Sequence, residues 1–167
     1  MESTYESHEF DPVYDKNSKI LILGTFPSVK SREMQFYYGH PQNRFWKLLA
    51  RLTNWPQPTT IPEKKEMLLK NNIAIWDVIQ SCEIAGSSDS SIKNVIANDL
   101  TQVLSDSSIT RIYANGKTAE KLYNKYVKPQ TGIDVIPLPS TSPANAAYSL
   151  DRLAASWTKI LEVLENE

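Results

Sequence analysis

The sequence predicts an α/β protein, a three-layer α/β/α sandwich built on a central four-stranded parallel sheet. Three observations carry this. Four short runs rich in Ile, Val and Leu, at 19–23, 73–76, 111–114 and 134–138, are bounded by Gly, Pro, Asn or Asp, as strands are. Segments with helical spacing lie between and after them, and alternation of strand and helix makes a parallel sheet covered on both faces the economical fold. The run at 20–23 is apolar throughout, as in a strand buried on both faces.

Taken in order, the first strand ends at Gly24 and gives way to a stiff polar turn, Thr25-Phe26-Pro27-Ser28. A helix over 43–52 follows, with Phe45, Leu48, Leu49 and Leu52 at core spacing. The stretch 53–62 reads as a loop, and Pro62 near a first turn opens a helix to residue 70. After the second strand come a loop at 87–91 and a helix over 92–104; the third strand leads through Asn115-Gly116 into a helix over 118–127. The fourth strand runs into a Pro-rich turn, and a helix over 150–164 closes the fold.

At 167 residues and 41% hydrophobic content, the chain is expected to be one domain, 1–167, with 1–15 an irregular N-terminal segment and the molecule a monomer. No apolar stretch is of membrane-spanning length. Residues 1–6 lack the basic and apolar regions of a secretory signal, so the cytoplasm is the expected compartment. A lone cysteine, Cys82, excludes an intramolecular disulfide and multi-cysteine metal sites. A net charge of −1 gives no global cationic field, so any nucleic-acid contact must come from a local patch.

In a parallel sheet all carboxyl ends open on one edge, so the polar residues after each strand should converge. Those are Thr25 and Ser28, then Asp77, Ser81 and Ser87, then Asn115, and finally Ser140 to Asn145. Hydroxyls and amides dominate that edge, which argues against metal catalysis and a Ser-His-Asp relay. Neither GxGxxG nor a phosphate loop is present, and no GxSxG elbow supports a hydrolase built on Ser28 or Ser140. The block Phe36-Tyr37-Tyr38-Gly39-His40-Pro41-Gln42-Asn43-Arg44-Phe45-Trp46 can stack a flat heterocycle and read its edge, or supply core through Phe45 and Trp46 and a helix cap through Asn43. His40 reads as a loop residue bonding backbone, and His8 as part of the irregular terminus. A non-catalytic, flavodoxin-like nucleotide-binding domain fits the same pattern.

Gly24-Thr25-Phe26-Pro27-Ser28, the Tyr37–Trp46 block, Trp76-Asp77-Val78, Gly86-Ser87-Ser88-Asp89, Asn115-Gly116 and Pro139-Ser140-Thr141-Ser142-Pro143-Ala144-Asn145 together resemble the hypoxanthine-DNA glycosylase family of the uracil-DNA glycosylase superfamily. The stretch His40–Trp46 is also similar to mismatch-specific uracil glycosylases, the alternative within the superfamily.

The resemblance implies cleavage of the N-glycosidic bond of a deaminated base in DNA, chiefly hypoxanthine, with no cofactor and no metal. It implies that Tyr38 stacks the extruded base, with Phe26 as an opposite wall, and that Gly24, Thr25, Phe26, Pro27, Ser28 and Asn115 bind it. It carries Asn43 into positioning the attacking water, with Asp77 as the alternative catalytic group. Ser140, Thr141, Ser142, Pro143, Ala144 and Asn145 stand where relatives grip DNA, and hydroxyls there are expected to bond phosphates. Lys30, Arg32, Lys117 and Arg152 flank these loops as a candidate cationic patch. Two departures stand out. Thr25 and Phe26 fill a region where other members place Asp or Asn, and Ser140 and Ala144 replace a His and a wedge Leu.

Overall fold

A computed structural model describes residues 2–8 and 10–165. Its strands are β1 (Thr4–Ser7), β2 (Ile20–Gly24), β3 (Ile73–Asp77), β4 (Ile79–Ile84), β5 (Lys93–Ala97), β6 (Arg111–Asn115) and β7 (Val135–Leu138). Its principal helices are α1 (Val29–Met34), α2 (Phe45–Thr53), α3 (Ile61–Lys70), α4 (Thr101–Ser105), α5 (Lys117–Leu122), α6 (Lys128–Thr131), α7 (Leu150–Trp157) and α8 (Leu161–Glu165).

The central sheet is the predicted one, four parallel strands in the order β3-β2-β6-β7. Every residue of β2 is buried, because alternate side chains serve two cores. Ile20 and Ile22 join Ile73, Ile75 and Tyr113 against Leu48 and Leu49 of α2, Met67 of α3 and Trp157 of α7. Leu21 and Leu23 face the opposite way, toward Ile112, Val103, Tyr123 and Val127. Each such side chain contributes about 1.5–3 kcal/mol on burial, enough to fix register against a one-residue slip that would exchange the two faces.

Local chemistry sets the helix starts. Thr60 and Glu63 form a reciprocal capping box on α3, Ser149 caps α7, and Asn43 Oδ1 accepts from the Phe45 N–H at the head of α2. The predicted 118–127 helix is α5 continued by a π-type segment, Tyr123–Val127; the predicted 150–164 helix is α7, a 3-10 turn and α8.

A second, antiparallel sheet, β1-β4-β5, corrects two expectations. The N-terminal segment is not irregular throughout, since β1 pairs with β4 from Thr4–Ile84 to Ser7–Ser81. The helix predicted over 92–104 is instead strand β5 followed by the short α4. Residues 93–97 pair with β4 through two register shifts, and Asn94 takes a positive φ, so tertiary pairing overrides the helical spacing. The chain passes from one sheet to the other at Val78, where the Val78 and Ile79 amides still donate to the carbonyls of Gly24 and Thr25. Among the described residues no helix is long and apolar enough to cross a membrane.

Candidate active site

The carboxyl ends of β2, β3 and β6 and the loop after β7 surround a cleft of about 490 Å³. Gly24 to Ser28, Tyr38, Asn43, Asp77, Asn115 and Ser140 to Ala144 all line it; Asn145 does not. Distant segments therefore meet at the edge where sheet topology concentrates ligand sites.

The floor is built around Gly24. A Cβ there would stand 2.4 Å from Asp77 Oδ1 and 2.9 Å from the Tyr38 hydroxyl, so glycine is needed for close approach and not for its φ. Tyr38 holds φ at +52, an unusual conformation for a bulky residue, and one ring face stacks on Phe45 with centroids 4.0 Å apart. Among the described residues its buried hydroxyl has no hydrogen-bond partner. Burial, then the charge of Asp77, holds this phenol far above its usual range, so it remains a proton donor.

His8, which the sequence places in the irregular terminus, supports this floor through Asp77 without lining the cleft itself. Its Nε2 lies 2.8 Å from Asp77 Oδ2, with both side chains almost fully buried. The contact spans 69 positions. No local signal announces it.

At the rim, one hydrogen-bonded chain joins three segments. Asn115 Nδ2 donates to Thr141 Oγ1 (3.0 Å), Thr141 Oγ1 donates to Asn43 Oδ1 (2.8 Å), and the Thr141 amide donates to Asn115 Oδ1 (3.0 Å). Asn43 Oδ1 thus takes two bonds, from Thr141 and from the Phe45 amide, and the amide nitrogen is the end left to the cleft. The bond from the Phe45 amide, at the head of α2, thus dictates which amide end Asn43 presents. Asn115 has likewise committed one donor and one acceptor, leaving one of each.

Thr141 corrects an expectation. It is 0% exposed and its hydroxyl is spent within the protein, so it braces the loop and cannot bond phosphates. Asn145 also braces, donating from Nδ2 to the Ser140 carbonyl. Ser140 and Ser142 accept from the Ser142 and Ala144 amides, which shapes a tight turn with Pro143 and the exposed Ala144 at its tip. Ser28 caps α1, accepting from the Ser31 amide.

Arg44 is the second residue that sequence reasoning missed. Its guanidinium donates to the carbonyls of Thr141, Ser142 (2.8 Å), Asn145 (3.1 Å) and Tyr148. A cation opening a helix opposes the helix dipole, and that mismatch is the signal that could have found it. Of the expected cationic patch, Arg32 is occupied by the Gly86 carbonyl and the Phe26 ring, and Arg152 by the Ala147 carbonyl and the Tyr148 ring. Lys30 makes an exposed pair with Glu33, and Lys117 is exposed at the start of α5. His40 Nδ1 accepts from the Gln42 amide, as a loop residue should. Burial pushes the Cys82 thiol up to about 11, which leaves it no nucleophile. Asp89, on the cleft mouth, is pushed up to about 6 by desolvation and then by the charge of Asp77.

Residues 12–165 match the family model described as the Uracil DNA glycosylase superfamily. The chain belongs to that superfamily. Within the uracil DNA glycosylase superfamily it is similar to two proteins named Hypoxanthine DNA glycosylase. The one from Methanosarcina acetivorans is 36% identical over 90% of this chain and 95% of its own length, and the one from Methanosarcina barkeri is 33% identical over 90% and 94%. A solution NMR structure of a candidate uracil DNA glycosylase from M. acetivorans superposes with a TM-score of 0.82 at 32% identity, covering 98% of this chain and all of that one. The superfamily fold accounts for the four-stranded parallel sheet and for the cleft at its carboxyl edge.

Proposed function

We propose that this protein is a monofunctional DNA glycosylase that extrudes a deaminated base, chiefly hypoxanthine, and hydrolyses its N-glycosidic bond to leave an abasic site. The observation that carries the reading is the convergence of Asp77, Tyr38, Asn43 and the braced loop at 140–145 on one cleft. The names of the two Methanosarcina relatives support the choice of base.

Extrusion costs a few kcal/mol, less for a mispaired base, which favours lesions before any contact is made. The open side of Tyr38 stacks the base, Phe26 faces it, and the buried Asp77 carboxylate receives its edge. An ionised carboxylate only accepts, so it pairs with the N1–H that deamination gives to a purine and repels the bare N1 of adenine. The same group would accept the N3–H of uracil, so uracil belongs in the substrate panel. Asp77 is 4% exposed at the foot of the cleft, which favours a role at the base edge over one at the sugar.

Bond cleavage leaves cationic character on the sugar and negative charge on the leaving base; backbone amides of the loop at 24–28 serve the latter. Asn43 orients the attacking water by donating from Nδ2, which leaves a water lone pair for the sugar carbon. Ser140, Ser142 and Lys117 meet the DNA backbone, while Thr141 and Asn145 hold the turn that presents them. No step requires a metal or cofactor, and the molecule works as a monomer.

The test is alkali cleavage after incubation with a duplex carrying one deoxyinosine. Cleaved strands are expected, and strands left intact on hypoxanthine, uracil and xanthine substrates would refute the reading. Asn43→Ala should lose most turnover in single-turnover assays while still binding DNA.

A further inference from the structure

We propose that His8 is a positioning residue for Asp77, which makes the N-terminal strand a working part of the cleft; this rests on the glycosylase reading above. β1 pairs with β4, and just beyond it the His8 amide donates to the Gln80 carbonyl at 2.7 Å, turning the imidazole inward. There Nε2 meets Asp77 Oδ2 at 2.8 Å, and the side chains are 1% and 5% exposed.

Packing alone gives no reason for a histidine at this place. The ring sits among Phe10, Tyr37 and Phe26, at centroid distances of 4.3, 5.6 and 6.3 Å, a cage that a phenyl ring fills equally well. Nδ1 is buried with no partner, a cost of about 1–3 kcal/mol for a polar atom so placed. A carboxylate oxygen accepts, so the ring form with its proton on Nε2 is the one that fits Asp77 Oδ2. That tautomer donates to the carboxylate.

The bond fixes where the carboxylate points. Oδ2 is held by His8, so Oδ1 is directed to the niche beside Gly24 and the unpartnered Tyr38 hydroxyl.

The experiment is a double-mutant cycle in single-turnover excision of deoxyinosine, with His8→Phe and Asp77→Asn, alone and together. His8→Phe keeps the ring packing and removes the donor. It should slow excision on the order of 100-fold, the scale of a misplaced reacting partner, with unchanged affinity for abasic-site DNA and an undiminished melting temperature. His8→Gln, which returns an amide N–H near the Nε2 position, should recover most of that loss. In the Asp77→Asn background His8→Phe should cost nothing further. Wild-type rates for His8→Phe, or an equal loss in both backgrounds, overturn the proposal. If His8→Phe does not fold, His8→Asn, too short to reach Oδ2, replaces it in the same cycle. An inactive wild-type protein would refute the glycosylase reading instead, so the two failures are distinguishable.

Discussion

The rim of the cleft and its floor treat polar groups in opposite ways. On the rim, Thr141 spends its hydroxyl on two partners and Arg44 collects four loop carbonyls. On the floor, the Tyr38 hydroxyl and His8 Nδ1 are buried without partners. A satisfied rim is a rigid frame; an unsatisfied floor stores hydrogen-bonding capacity at a cost to stability. Substitutions should therefore register on folding at the rim and on turnover at the floor.

The largest expected effect is on the floor. Gly24→Ala drives a methyl group to 2.4 Å from Asp77 Oδ1, and neither Asp77 nor Tyr38 has room to retreat. Excision should fall on the order of 100-fold in single-turnover assays, with far less change in DNA affinity. At the rim, Arg44→Ala should instead cost about 3 kcal/mol in denaturant unfolding, since it strands several carbonyls, and Arg44→Lys should not restore the planar fork. A stable Arg44→Ala protein would break the comparison.

Tyr38→Phe sharpens it. Removing a buried hydroxyl that has no partner should leave stability unchanged or raise it by about 1 kcal/mol, while turnover falls several-fold. Loss of stability would show the hydroxyl satisfied in the free protein. The smallest effect is expected at Asp89 on the mouth. Its folded carboxyl titrates near 6, above the ordinary value, so its charge is present above that pH and gone below it. Asp89→Asn should therefore tighten DNA binding a few-fold at pH 7.5, and the gain should vanish as pH falls below about 6, as read by binding isotherms.

Strands buried on both faces announce themselves. Residues 20–23 are Ile-Leu-Ile-Leu because two cores compete for them, and the other three parallel strands show the same signal more weakly. The second sheet was hidden. β4 begins one residue after β3 and mixes Gln80, Ser81 and Glu83 with apolar positions, while β5 has a left-handed Asn94 and imitates helical spacing. In the site, the turns after β2 and β7 were legible from their Pro, Gly and hydroxyl content. Thr141 was misjudged because a hydroxyl in a polar turn looks available until its neighbours are seen. His8 was invisible because its meaning lies wholly in Asp77, far away in the chain.

The mounting of the turn at 140–145 on Arg44 carries one more consequence. If the turn grips DNA as proposed, an element anchored this firmly has little freedom to mould itself to its target, so distortion during encounter falls on the double helix. Discovery of a lesion should then track local duplex pliancy. Inosine beside an easily unstacked pyrimidine–purine step should be engaged sooner than inosine within a stiff run of adenines, even where the chemistry that follows is identical.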